Sequence, residues 1–273
     1  MDEPSADVNW SGTDFESDSA HFSEYLTKAT ANHQIRTYKQ DSYEGLNLSL
    51  GDRVLDAGCG LGDDVLALAE IVGPIGEAIG IDNSASLIAE ARTNATDVSG
   101  VRFAVQDIYA INFDAAAFDA SRADRILQHL DRPQDALDEL VRVTKPGGRM
   151  SVIDPDWTAL RMDVPGNDPV NEVLDATYSI VEHPAMGREL YRRFQEAGLE
   201  DLAIDPFVIT TTDFESVYEM AEIDVWLARL EEANEINSDR IATWTSTLQR
   251  ADANGSFFAS LPAYHVSGRV PRS

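Results

Sequence analysis

The residues of this 273-residue chain best suited to chemistry lie in one short run, Val54-Leu55-Asp56-Ala57-Gly58-Cys59-Gly60-Leu61-Gly62-Asp63-Asp64. Three glycines at alternate positions let the backbone approach a ligand closely and adopt dihedrals closed to other residues. An apolar pair precedes them and an amphipathic stretch follows, so the run reads as a strand end, a glycine turn and a helix start. Such turns hold nucleotides, and the acids decide which kind. A pyrophosphate at the helix start would be crowded by Asp56, Asp63 and Asp64, where one like-charge pair about 4 Å apart costs about 4 kcal/mol at an effective dielectric near 20. A phosphate-free nucleoside carrying positive charge would be held by the same acids. The spacing agrees, since a dinucleotide fingerprint places glycine where Asp63 stands.

Two further acids extend the pattern. Ala78-Ile79-Gly80-Ile81-Asp82-Asn83 is a short apolar strand ending in an acid about 20 residues past the glycines, where a carboxylate accepts from both ribose hydroxyls. Dinucleotide sites share this feature, so Asp82 and Asn83 support adenosine binding without choosing its chemistry. The strand Val101–Val105 runs into Gln106-Asp107-Ile108. There Asp107 can accept from the adenine amine while Ile108 covers the ring. The bland alternative for Asp107 is a turn or capping residue.

These residues need a scaffold, and the hydrophobic pattern supplies one. From residue 53 short apolar runs alternate with amphipathic segments at 63–72, 84–95 and 133–143, the signature of an α/β fold with a parallel sheet and helices on both faces. Residues 1–20 read as a mobile acidic arm and 21–45 as an N-terminal helical cap. The remainder, 46–273, forms the main domain. Pro155, Pro165, Pro169 and Pro184 mark 155–190 as a lid insertion, with a helical piece near 170–182. A helix near 187–197 ends at Gly198. Strands near 201–211 and 257–268, with helices at about 213–235 and 238–253 between them, complete the sheet.

From about Leu46 to Ile153 the chain resembles the class I S-adenosylmethionine-dependent methyltransferases. The glycine turn, Asp82 and Gln106 to Ile108 carry the likeness, together with Phe118-Asp119-Ala120, Ile126-Leu127-Gln128-His129-Leu130 and Leu140-Val141-Arg142-Val143-Thr144-Lys145-Pro146-Gly147-Gly148. Within that class it is similar to the small-molecule group that includes quinone-biosynthesis C-methyltransferases. The resemblance implies a Rossmann-like sheet of seven mostly parallel strands, the last antiparallel and inserted between its neighbours. It implies S-adenosyl-L-methionine as cofactor, with Asp56, Gly58, Gly60 and Gly62 at the methionine part, Asp82 at the ribose and Gln106 to Ile108 at the adenine. The reaction implied is methyl transfer to oxygen or carbon of a small-molecule acceptor.

Several single residues have two readings. His129 follows the fourth strand and can act as a base on the acceptor, its unperturbed pKa being near 6.5, or can simply pack the pocket. Gln128 is a polar lining candidate. Arg125 can pair with the cofactor carboxylate, although pairing with Asp124 or Asp131 is the stronger reading. Asp156 and Trp157, after the fifth strand, are candidates for the acceptor side, and Trp157 offers a π face. The segment Asp154-Pro155-Asp156-Trp157 superficially resembles the Asp-Pro-Pro-Tyr motif of amino-group methyltransferases, but that motif follows the fourth strand. Asp63 and Asp64 read as compensation of the helix dipole. Cys59 reads as a packing residue of the turn. Tyr25, Tyr38 and Lys39 are candidates to close over the cofactor.

Composition narrows the partners. The formal charge is −27, from 48 acidic against 21 basic residues, of which only Lys28, Lys39 and Lys145 are lysines. Such a surface repels phosphate backbones, so no nucleic-acid partner is expected. Acidity with scarce lysine also fits adaptation to concentrated salt, where screening shortens to roughly 3 Å at 1 M. One cysteine excludes an intramolecular disulfide and a cysteine-based zinc site. No secretion signal or membrane-length apolar run is seen, so a cytoplasmic chain without membrane insertion is expected. The rivals are a dinucleotide-dependent oxidoreductase and a non-catalytic S-adenosylmethionine-binding module.

Overall fold

A computed structural model describes residues 33–163, 173–174, 182–220, 223–234 and 236–272. The expected acidic arm, Tyr25 and most of the helical piece near 170–182 lie outside the described residues.

The chain runs α1 (His33–Gly45), β1 (Arg53–Ala57), α2 (Asp63–Val72), β2 (Glu77–Asp82), α3 (Ala85–Asn94), β3 (Val101–Val105), β4 (Phe118–Asp124) and α4 (Pro133–Val143). It continues with β5 (Thr144–Pro155), β6 (Arg161–Asp163), α5 (Met186–Glu196), β7 (Glu200–Thr211), α6 (Phe214–Met220), α7 (Ile223–Glu232), α8 (Ser238–Ala253) and β8 (Phe258–Arg269). The strands form one sheet in the order β3-β2-β1-β4-β5-β8-β6, with β7 on the other edge of β8. The first five are parallel neighbours, and β8 runs antiparallel to β5, β6 and β7.

The mostly parallel Rossmann-like sheet with an antiparallel last strand is therefore present, with one addition to the seven strands expected. Three residues assigned to the lid, Arg161–Asp163, return to the sheet as β6. They pair with Phe258 to Ser260 of β8 and prolong the edge that β5 occupies up to Ala263. The helix expected over 213–235 is described as two, α6 and α7, with 221–222 outside the described residues.

Alternation along the strands sorts side chains onto two faces. Val54 and Ala78 pack with Val65, Leu68 and Ile88 of α2 and α3. Leu55 and Ile79 pack on the other face with Leu137 and Leu140 of α4 and Leu190 and Phe194 of α5. A third cluster joins Ile35 and Tyr38 of α1, Trp157, Leu160, Val173 and Leu174 to Trp226, Leu227 and Trp244 of the C-terminal helices. That cluster builds a wall over the carboxyl ends of the strands, where ligands of open α/β sheets bind.

Candidate active site

Because β1 and β2 pair with Ala57 opposite Ile81, the glycine turn leaving β1 crosses the end of β2. Gly58 N and Cys59 N both donate to Ile81 O, at 2.7 and 3.0 Å, and Gly60 N donates to Asp82 Oδ2 at 3.0 Å. Gly58 has φ 75°, and a Cβ there would lie 2.2 Å from Ile126 Cδ1. Glycine is thus required both by the dihedral and by the approach of the segment after β4.

The turn faces a cavity of about 470 Å³. Of the residues expected at the cofactor, Gly58, Gly60, Asp82, Asn83, Gln106, Asp107 and Ile108 all line it. Asp82 Oδ1 accepts from Ser84 N at 2.9 Å, and each carboxylate oxygen keeps a lone pair that a ribose hydroxyl can use. Burial pushes the Asp82 carboxyl up, against the backbone N–H groups that favour its ionised form. Asp107 Oδ1 accepts from Tyr109 N at 2.9 Å, so it does cap its own turn while lining the cavity. Gln106 Oε1 accepts from Asn112 N at 2.8 Å.

Asp56 and Gly62 do not line the cavity. A Cβ on Gly62 would meet Phe103 at 2.7 Å, so this glycine serves packing of the turn against β3. Asp56 is buried below the turn because Arg122, fully buried on the neighbouring β4, draws its carboxylate inward, Nη1 to Oδ1 3.1 Å. The same guanidinium reaches Asp64 Oδ2 at 2.9 Å and Asp124 Oδ2 at 3.4 Å, and lies over the Tyr43 ring. Lys39 of α1 completes the cluster, with Nζ 2.6 Å from Asp64 Oδ2 and 3.4 Å from Asp124 Oδ2, and Tyr43 OH donates to Asp64.

Asp64 stands in the first turn of α2, as the helix-dipole reading expects, and is in addition an ion-pair partner in a buried network. Burial pushes its carboxyl up, but Arg122 and Lys39 prevail and hold it well below the usual range. For Asp56 burial wins over Arg122 and raises the carboxyl to about 7. Cys59 is buried, and its thiol is pushed up by burial and by Asp56, which is the environment of a packing residue rather than a nucleophile.

The other end of the cavity is more apolar. Trp157, Phe207, Ile209, Leu261 and Ala263 line it, with Tyr38 stacked on Phe207 at 4.3 Å. Gln128 lines it too, but its amide holds protein: Oε1 accepts from Trp157 Nε1 at 2.6 Å and Nε2 donates to Arg125 O at 3.3 Å. His129 lines the cavity, with burial and then Arg125 pushing its imidazole down to about 4. Arg125 itself has φ 58°, unusual for a residue with a side chain, and its Nε lies 3.5 Å from Asp124. Asp156, expected on the acceptor side, does not line the cavity. It is buried at the corner after β5, where Thr158 Oγ1 donates to it at 2.5 Å and Arg188 lies at 3.3 Å, because these two donors are what the corner offers a buried carboxylate.

Sequence reasoning missed Arg122 and the apolar lining of β7 and β8. Arg122 left one signal, a lone basic residue inside the strand Ser121-Arg122-Ala123. The lining of β7 and β8 left none, since topology alone brings those strands to the site.

A glycine turn, a second-strand acid and residues after the third strand facing one cavity define the ligand site of an enzyme of the Rossmann-like class. The chain belongs to the methyltransferase domain family, whose profile matches residues 48–198. It is 31% identical over 257 residues to an uncharacterized 37.1 kDa transposon protein of Streptomyces fradiae, covering 94% of this chain and 73% of that one. It is 28% identical over 210 residues to the demethylmenaquinone methyltransferase of Geobacillus kaustophilus, covering 71% and 89%. In fold it is similar to the phosphoethanolamine N-methyltransferase 2 of Haemonchus contortus, solved with phosphomonomethylethanolamine and S-adenosylhomocysteine. That likeness has TM-score 0.59 and 16% identity, over 94% of this chain and 58% of that one. The chain is a class I methyltransferase dependent on S-adenosyl-L-methionine. Its lining fits that cofactor: Asp82 offers the ribose two acceptors, and the turn-side end presents Asp63, Asp64 and Asp124 with Lys39 between two of them. Among the described residues no helix is long and apolar enough to cross a membrane.

Proposed function

We propose that this enzyme methylates carbon or oxygen of a small, apolar and planar metabolite. The observation that carries the reading is the apolar end of the cavity, where Trp157, Phe207, Ile209, Leu261 and Ala263 leave His129 and Gln128 among the few polar groups. The cofactor, when bound, supplies the electrophilic methyl group. The chain's own residues do the rest. Asp82 and Asp107 orient the nucleoside. Trp157, fixed by its bond to Gln128 and by an edge contact to Trp226 at 5.4 Å, presents a rigid aromatic face to a flat acceptor.

His129 is neutral near pH 7, so it accepts or donates one hydrogen bond to an acceptor hydroxyl without adding a charge. A conjugate acid near 4 makes it a weak base. Alignment and exclusion of water therefore supply most of the acceleration, and the acceptor brings its own nucleophilicity. Trp157, Leu160, Val173 and Leu174 after β5, packed with Ile35 and Tyr38 of α1, act as the cover, in a chain working in the cytoplasm without nucleic acid. The likeness to a demethylmenaquinone methyltransferase supports a quinone-type ring, oxidised or reduced, as acceptor.

The test is methyl transfer from radiolabelled S-adenosyl-L-methionine to a panel of naphthols, hydroquinones, catechols and alkyl or aryl amines, with products located by mass spectrometry. Labelled carbon or oxygen products from the ring compounds are expected. Turnover confined to the amines would refute the reading.

A further inference from the structure

The buried cluster beside the glycine turn holds a group whose bonding capacity is unmet. Asp124 ends β4 with its side chain 5% exposed, and among the described residues neither carboxylate oxygen accepts a hydrogen bond. Its neighbours Arg122, Lys39 and Arg125 approach only to 3.4, 3.4 and 3.5 Å. A carboxylate this buried normally accepts two or more bonds, and leaving it short is costly. Asp124 lines the cavity, so a ligand can supply the missing donors.

Lys39 stands beside it. Its ammonium has three N–H donors, and one serves Asp64 at 2.6 Å. Lys39 too lines the cavity, with its side chain 10% exposed. An ammonium and a carboxylate 3.4 Å apart, both facing the cavity, complement a ligand group that carries the same two charges on one carbon. The pair lies beside Asp64, at the start of the helix that leaves the glycine turn, in the same cavity that Asp82 and Asp107 line.

We propose that Asp124 and Lys39 read the α-amino and α-carboxylate groups of the cofactor's methionine part, in place of the turn acid Asp56, which Arg122 has drawn out of the cavity. Asp124 accepts from the α-ammonium and Lys39 donates to the α-carboxylate. Because Lys39 belongs to α1 and Asp124 to β4, an intact amino-acid head adds a tie between the helical cap and the sheet beyond the Lys39–Asp64 pair and the stacking of Tyr38 on Phe207. The inference concerns the donor side and stands apart from the choice of acceptor.

The test is calorimetric titration of three neutral-sulfur ligands: S-adenosylhomocysteine, its decarboxylated analogue and methylthioadenosine, which lacks the amino-acid head. The unmodified protein should bind S-adenosylhomocysteine at least about tenfold more tightly than methylthioadenosine. Asp124→Asn, which keeps the shape, should cut that ratio by about tenfold while leaving methylthioadenosine binding unchanged. Lys39→Met should cut the ratio between S-adenosylhomocysteine and the decarboxylated ligand by a similar factor. Equal binding of all three ligands by the unmodified protein overturns the proposal even if neither variant folds. So does a parallel loss for all three ligands in both variants, which marks a structural role only. So does loss of carboxylate discrimination in Arg125→Gln with none in Lys39→Met. Failure of the unmodified protein to bind either S-adenosylhomocysteine or S-adenosyl-L-methionine would instead remove the donor itself.

Discussion

Replacing Arg122 by methionine tests the network beneath the site most directly. Met fills much of the arginine stem, so the change is chiefly one of charge. In the native chain Arg122 is fully buried and serves Asp56, Asp64 and Asp124 at 3.1, 2.9 and 3.4 Å, leaving Lys39 to serve Asp64 and Lys39 and Arg125 to face Asp124. Removing one partner of a buried ion pair costs about 3–5 kcal/mol, because the other charge is left uncompensated. Three carboxylates are affected here, but Asp56, with its carboxyl near 7, relieves part of the strain by taking up a proton. The low end of that range is therefore expected, roughly 3 kcal/mol, which for a chain of this size lowers Tm by about 6–12 °C.

The pH dependence carries the sign. Asp64 is held below its ordinary 3.8 in the folded chain, so it contributes stability above about pH 4 that is lost as pH falls toward its folded value. Methionine at 122 removes most of that contribution. The gap in Tm between the two proteins should hold from pH 8 down to about pH 4 and narrow as pH falls below it. Thermal unfolding followed by circular dichroism across that range is the assay. A gap under about 2 °C at pH 8, or one that widens on acidification, would refute the account of Arg122 as counter-ion to the cluster.

Three other outcomes follow from the same geometry. Asp82→Ala removes acceptors for the ribose and frees Gly60 N, so affinity for S-adenosyl-L-methionine measured by calorimetry should fall roughly 10- to 150-fold; unchanged affinity would remove the ribose assignment. Gly58→Ala puts a Cβ against Ile126 at a positive φ and should destabilise the fold by about 2 kcal/mol or more in urea unfolding, with Ile126→Ala in the same chain recovering part of the loss. His129→Asn should keep kcat within about tenfold, and the native kcat/KM profile should show no inflection from this imidazole between pH 6 and 9; a loss of a hundredfold or more would make His129 the base.

The elements that carry the nucleoside were legible because each is local. The turn at 58–62, the acid Asp82 closing an apolar strand and the helix Asp63–Val72 follow from composition and spacing within a few residues. β6 was not legible, since Arg161–Asp163 has no strand pattern and pairs only because the corner after β5 delivers it to the free end of β8. Asp56 misled for a related reason. Its place before the glycines is that of a ligand-binding acid, but its direction is set by Arg122, 66 residues away on the next strand. Asp156 was misplaced in the same way by Arg188 of α5.

Acidic charge around the glycine run disfavours a diphosphate, but the acids that supply it are not all those of the run itself. Asp56 was counted against a diphosphate, yet it lies outside the cavity, and Asp64 is compensated by Arg122 and Lys39. Besides the compensated Asp64, the acids lining the cavity at the turn are Asp63, Asp82 and the under-bonded Asp124. Lys39, which lines the cavity, is already engaged by Asp64. A diphosphate placed there would meet three carboxylates while, among the described residues, the lining cations Lys39 and Arg125 already face Asp64 and Asp124, whereas a sulfonium and an ammonium find acceptors. Preference for a positively charged donor thus depends less on the number of acids in the turn than on which of them Arg122 withdraws.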